Sequence, residues 1–290
     1  MVRAALLVVV ASCSVRCGCT KDVRELERRL APFAVIATQR TGSQWVMKTL
    51  SKEFCDVDAT PEIFTGGDGW NTTAQRAALE TLFFDVTVAA PVAAAAGSPR
   101  QFRRDVERAQ HYHRPTAYGF KWMLNQGLDE LFDWFLNLCV ERGAKIVFLK
   151  RRDYLRMYVS YRAMKAGAHP ETAEAAAAVP RVTLPSAETL VSRLADYEAR
   201  FEKMDEYAAR AAAAGVATTT HVYEDLAADP SGFLDIRDFL TAGLPPALCN
   251  ASFMDNYTVR IHKKHPSEYV RNWPEVVSAL ENTSYREFLA

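Results

Sequence analysis

FAVIATQRTGSQWVMKTLSKEF, residues 33–54, holds the decisive local order. Its first six residues are a continuous apolar run bounded by polar residues, the signature of a strand buried on both faces. Residues 39–43 read as a turn. Residues 44–54 then carry apolar side chains at helical spacing through Trp45, Val46, Leu50 and Phe54. The order is strand, glycine-containing loop, helix.

The same grammar recurs downstream. Residues 128–140 predict an apolar-rich helix closed by Gly143, and residues 145–150 (KIVFLK) predict a second buried strand. A helix follows over residues 154–164. Further strands are predicted at residues 117–123 and 218–223, and helical stretches at residues 21–30 and 190–213. Such alternation implies an α/β fold, an open parallel sheet covered by helices on both faces. Two Ala- and Pro-rich stretches, residues 89–99 and 166–185, read as loops or lids over a site.

Composition bounds the function. The 290 residues include 35 Lys+Arg against 35 Asp+Glu, so the net charge is zero. That balance argues against bulk nucleic-acid binding, which rests on neutralising phosphates. It leaves room for a local basic pocket. No run approaches the 18 or so apolar residues that a membrane-spanning helix needs. The length suits a single domain over residues 21–290.

Residues 1–20 read as a signal peptide or short anchor: Arg3 supplies the charge and residues 4–11 the apolar run. Asn71, Asn250, Asn256 and Asn282 all stand in N-glycosylation sequons. Four of the seven asparagines lie in sequons, which points to the secretory pathway, the Golgi lumen or beyond. Outside the leader, Cys55, Cys139 and Cys249 cannot all pair with one another, and no paired CxxC spacing marks a zinc site. Cys139 falls on an apolar helical pattern and is expected to be buried.

The loop after the first strand is suited to an anion. A helix N-terminus presents free N–H groups, Gly42 permits close approach, Thr41 and Ser43 add hydroxyls, and Arg40 adds a charged fork. No GxxxxGK[ST] pattern exists in the chain, which argues against an ordinary ATPase or GTPase. The run Arg40, Thr41, Gly42, Ser43, Gln44, Trp45 resembles the 5′-phosphosulfate loop of PAPS-dependent sulfotransferases. It is most like the Arg-x-Gly-Ser form of carbohydrate-type members. By that resemblance Trp45 would stack on the adenine of PAPS (3′-phosphoadenosine 5′-phosphosulfate).

A second segment, KIVFLKRRDYLRMYVSYRAM, resembles the family's 3′-phosphate segment. In that segment an Arg at a strand end precedes a Ser on the next helix by eight residues. Arg152 and Ser160 have this spacing, and a phosphate dianion calls for such a fork and hydroxyl. Weaker resemblances lie at Gly119-Phe120-Lys121 and over residues 222–240 and 269–276, so the likeness spans residues 33–290. It implies a P-loop-like open parallel sheet, PAPS as co-substrate, no metal, and a hydroxyl-bearing acceptor, a glycan by the carbohydrate-type motifs.

Sulfuryl transfer needs in-line positioning, stabilised charge on the leaving phosphate, and a base for the acceptor proton. Arg40 is the candidate for the leaving oxygen. Glu62, in ATPEIF, is the candidate base, because the segment resembles one that carries a catalytic Glu in trehalose-type members. His113 stands as the alternative base. Lys263 and Lys264 loosely resemble a basic loop that closes on the 3′-phosphate. Lys121, if directed inward, needs an anionic partner, and the cofactor would supply one. Two other readings stay open: a catalytically silent member that binds nucleotide or glycan, and a P-loop-related kinase using ATP.

Overall fold

Side chains alternate across the first strand, β1 (Leu30–Ala37): Phe33, Val35 and Ala37 face one apolar cluster, Ala34 and Ile36 the other. Both sets are buried, which is why the strand reads as one unbroken apolar run. The computed structural model describes residues 30–64, 71–84, 116–167, 181–244 and 265–290. The leader, the charged helix expected at residues 21–30 (save Leu30, which belongs to β1), the 89–99 stretch and most of the 166–185 stretch lie outside them. So do Asn250, Asn256, His113, Lys263 and Lys264.

Along the described residues the order continues with α1 (Ser43–Glu53), β2 (Val57–Glu62), α2 (Thr72–Phe84), β3 (Thr116–Met123), α3 (Leu128–Arg142) and β4 (Lys145–Lys150). Then come α4 (Tyr154–Lys165), α5 (Ala187–Ala213), β5 (Thr218–Val222), α6 (Tyr223–Ala228), α7 (Gly232–Thr241) and α8 (Trp273–Leu280). The sheet is parallel throughout, in the order β2-β3-β1-β4-β5. This is the α/β architecture that the alternation implies. Helices α1 and α7 cover one face; α3, α4, α5 and α8 cover the other.

Five elements, β2, α2, α6, α7 and α8, have no counterpart among the expected strands and helices. Strand β2 has the sequence VDATPE and lies at the sheet edge. Pro61 lacks an N–H to donate, which only an edge strand or a bulge tolerates, and the register with β3 shifts at that point. Helix α2 lies where no element was expected; Ala78 and Leu79 bury it against α3.

The topology fixes where a ligand can enter. From β1 the chain crosses by α1 toward β2, on one face. From β4 it crosses by α4 and α5 toward β5, on the other. The neighbouring strands β1 and β4 therefore send their chains apart, opening a crevice at their C-terminal ends.

Candidate active site

Helix α1 begins at Gly42 with φ 82° and no side-chain cap. The first backbone bond runs from Val46 N–H to the Gly42 carbonyl at 3.1 Å. The N–H groups of Ser43, Gln44 and Trp45 thus precede the helical ladder and point into the crevice region as anion donors. A Cβ on Gly42 would stand 2.3 Å from Cδ2 of Tyr223, so the loop also needs glycine for close packing. Gly42→Ala should cost about 1–2 kcal/mol from the left-handed backbone alone. A thermal melt should fall by about 2–8 °C. A variant melting with the parent chain would show that Tyr223 and the loop yield freely.

Arg40 has φ 68°, an unusual backbone state for a residue with a side chain. Two contacts hold it there. Arg151 Nη1 donates to the Arg40 carbonyl at 2.9 Å. The Arg40 guanidinium crosses to α4, where Nε and Nη2 donate to Ser160 Oγ at 2.9 and 2.7 Å. Strain of this kind persists where the surroundings over-determine it, as at ligand clamps.

The electrostatics are unbalanced in favour of an anion. Arg40 has no carboxylate partner among the described residues. Burial first, and then the charge of Arg151, draw its guanidinium below the ordinary arginine value. Arg151 is itself buried, lies 4.6 Å from the Tyr223 ring centre, and meets Glu224 at 3.5 Å. Trp45 packs edge-on to Tyr223 and Phe233, and its buried Nε1 has no acceptor among the described residues. A crevice with an uncapped helix and two adjacent guanidiniums calls for a ligand with acceptor oxygens.

The other expected site residues fall as follows. Thr41 is fully buried, and its hydroxyl donates to the Thr38 carbonyl at 2.9 Å, closing the turn. Ser43 is buried at the first turn of α1 and Gln44 is exposed. Arg152, paired with Ser160 by spacing, is exposed and ion-paired with Asp225. The side chain that reaches Ser160 is Arg40.

Glu62 ends β2, one strand beyond β3 from β1 and on the same C-terminal edge of the sheet. At a strand spacing of about 4.8 Å this places it roughly 10 Å from the end of β1. Its carboxylate pairs with buried Lys121 at 3.2 Å and accepts from Gln126 Nε2. Lys121 was expected to find its counter-charge in a cofactor. The chain supplies it instead, because Glu62 and Lys121 share a register position on adjacent strands.

Residues missed from sequence are Arg151, Tyr223, Glu224 and Gln126. Glu224 carboxylate oxygens accept from the N–H groups of Arg152 and Asp153 at 3.0 and 3.3 Å, so it shapes the turn between β4 and α4. Asp153 caps α4 through Arg156 N–H at 2.8 Å, and burial pushes its carboxyl above the ordinary range. The Tyr-Glu-Asp-Leu segment was the available signal for Tyr223 and Glu224. His265 is structural: its ring bonds Ser267 at 2.8 Å and the Leu289 carbonyl at 3.1 Å. Among the described residues, no group of three or more His, Cys, Asp or Glu is placed to hold a metal ion.

No family model and no curated protein matches the chain. Among solved structures it is similar to a sulfotransferase from Alicyclobacillus acidocaldarius, over 87% of this chain and 94% of that one. The two are 14% identical with a TM-score of 0.39, a distance at which the likeness carries no argument about activity.

Proposed function

We propose that the chain is a PAPS-dependent sulfotransferase that sulfates a hydroxyl of a carbohydrate acceptor in the secretory pathway. The observation that carries the reading is the meeting of Arg40 with Ser160, across 120 residues, beside the uncapped start of α1. The two segments that resemble the family's phosphate-binding motifs thus converge at the crevice between β1 and β4. PAPS suits that crevice by its donor set: two guanidiniums and free helix N–H groups for phosphate oxygens.

In this reading PAPS, when bound, supplies the sulfuryl group, whose bond to the 5′-phosphate oxygen breaks as a bond to the acceptor oxygen forms. Arg40 and the first-turn N–H groups of α1 stabilise charge on the leaving phosphate. Arg152 and Ser160 hold the 3′-phosphate, with Arg152 exchanging Asp225 for the ligand. Glu62 takes the acceptor proton, and Lys121 and Gln126 keep its carboxylate in place. Two further observations favour a lumenal setting. Cys55 is disulfide-bonded, while Cys139 is buried and free. Sequon residues Asn71 and Asn282 are exposed.

Thermal melts with PAP, the sulfate-free product nucleotide, test the donor site. At 100 times its dissociation constant, PAP should stabilise the chain by about 2.7 kcal/mol. The shift should shrink in Arg152→Ala and in Ser160→Ala. No shift with PAP, or a larger one with ATP, would overturn the reading in favour of a different nucleotide chemistry.

A further inference from the structure

Among the described residues, Arg40 alone carries a left-handed backbone without being glycine. Its carbonyl accepts from Arg151 Nη1 at 2.9 Å, across 111 residues of chain. Both ends of Arg40 are thus held from the far side of the crevice. The residue after β4 takes the carbonyl, and Ser160 of α4 takes the guanidinium.

Arg151 is itself fixed, and only 8% of it is exposed. Its guanidinium stands 4.6 Å from the centre of the Tyr223 ring, and its Nε faces Glu224 Oε1 at 3.5 Å. Glu224 also accepts from the N–H groups of Arg152 and Asp153, so it holds the turn that carries Arg151 as well as the side chain. The Tyr223 ring in turn covers Gly42, where an added Cβ would meet its Cε2 at 2.5 Å, and Trp45, at 5.5 Å between ring centres. One junction, from β5 to α6, therefore supports Arg151 and the loop together.

A left-handed residue with a side chain costs free energy, and it keeps that state only where its surroundings over-determine it. The bond from Arg151 is of the charge-assisted kind, about twice as strong as a neutral one. It falls on the carbonyl whose direction the strained backbone sets. A planar fork resting on an aromatic face is already ordered, so it gives up little freedom in making that bond.

We propose that Arg151 is a positioning residue for the anion loop. By grasping the Arg40 carbonyl it keeps residues 39–43 in the backbone shape that takes the Arg40 guanidinium to Ser160 and leaves the first-turn N–H groups of α1 open to a ligand. Without that grasp Arg40 relaxes to negative φ, the Arg40–Thr41 peptide turns, and Gly42 leaves the Tyr223 ring. Ligand affinity then depends on Arg151 through the backbone of Arg40, beyond the charge that Arg151 brings. This rests on the sulfotransferase reading only for the identity of the ligand, and the hold on the loop is measured without transfer.

Calorimetry on the full chain decides it, with PAP and inorganic pyrophosphate as probes. The chains compared are the parent, Arg151→Met, Arg40→Gly and the double variant. Arg151→Met should weaken PAP binding by about tenfold or more. Glycine takes φ 68° without strain, so in the Arg40→Gly background the same change should cost about threefold or less. A folding defect, or the mere loss of a positive charge, moves both backgrounds by one factor; a hold on the strained backbone makes the factors differ. Equal factors would overturn the proposal, and so would an Arg151→Met affinity within about twofold of the parent. If Arg151→Met does not melt cooperatively, Arg151→Lys keeps a charge opposite Glu224 without the planar fork and is judged in the same cycle by the same inequality. A parent that binds pyrophosphate but ignores PAP would sink the sulfotransferase reading alone, and the cycle is then read with pyrophosphate. A parent that binds neither would overturn the role of Arg151 together with the anion loop.

Discussion

Arg40→Ala is expected to lower sulfuryl transfer by about 10²- to 10³-fold, the usual effect of removing one donor from charge developing in a transition state. In the proposed reading the guanidinium faces the leaving phosphate. It is half-buried, it has no carboxylate partner among the described residues, and Ser160 orients it with two bonds. Arg40→Lys should recover little, because an ammonium is a point charge without the planar fork. Arg40→Gly separates catalysis from strain. Glycine accepts φ 68° freely, so that variant sheds the backbone cost yet should be as slow as Arg40→Ala. Turnover with labelled PAPS measures all three. Arg40→Ala activity within about tenfold of the parent would remove Arg40 from the reaction.

Glu62→Gln should slow turnover by about 10²- to 10⁴-fold, the range for a general base, with little change in the KM for PAPS. A structural role makes a competing forecast. Glu62 is the counter-charge of Lys121, which is buried, and removing one partner of such a pair is destabilising. The double variant Glu62→Gln/Lys121→Met separates the two. If Glu62 only neutralises Lys121, the double variant should regain both melting temperature and activity. If Glu62 is the base, stability returns and activity does not. Full activity in Glu62→Gln would also dispose of the base assignment and reopen the question of His113.

Much of the fold was legible because its elements carry strong local periodicity. Four strands, β1, β3, β4 and β5, and the helices α1, α3, α4 and α5 lie within a few residues of their expected bounds. Strand β2 escaped because its buried apolar side chains, Val57 and Ala59, stand among polar Asp58, Thr60 and Glu62. An edge strand has one neighbour and needs no apolar run. Of the candidate site residues, Arg40, Gly42, Ser160 and Glu62 were singled out through strand-to-helix junctions and the family resemblance; the structure brings Arg40 to Ser160 and pairs Glu62 with Lys121. Arg151 was not singled out, since the eight-residue spacing to Ser160 selects Arg152.

The sequence by itself determined a parallel α/β sheet with an anion-suited loop after its first strand. Those features follow from apolar runs, helical spacing and a glycine, all written within a few consecutive residues. Only the tertiary structure decided which charges meet. The strand order put β4 beside β1, so that Ser160 receives Arg40, and Arg151 rather than Arg152 is buried against the loop. It put β2 beside β3, so that Glu62 answers Lys121. It also laid α5 against α4, gathering cations from both into one cleft. Electrostatic pairing acts through space over a few ångströms, and residues that distant along the chain share no local pattern to announce it.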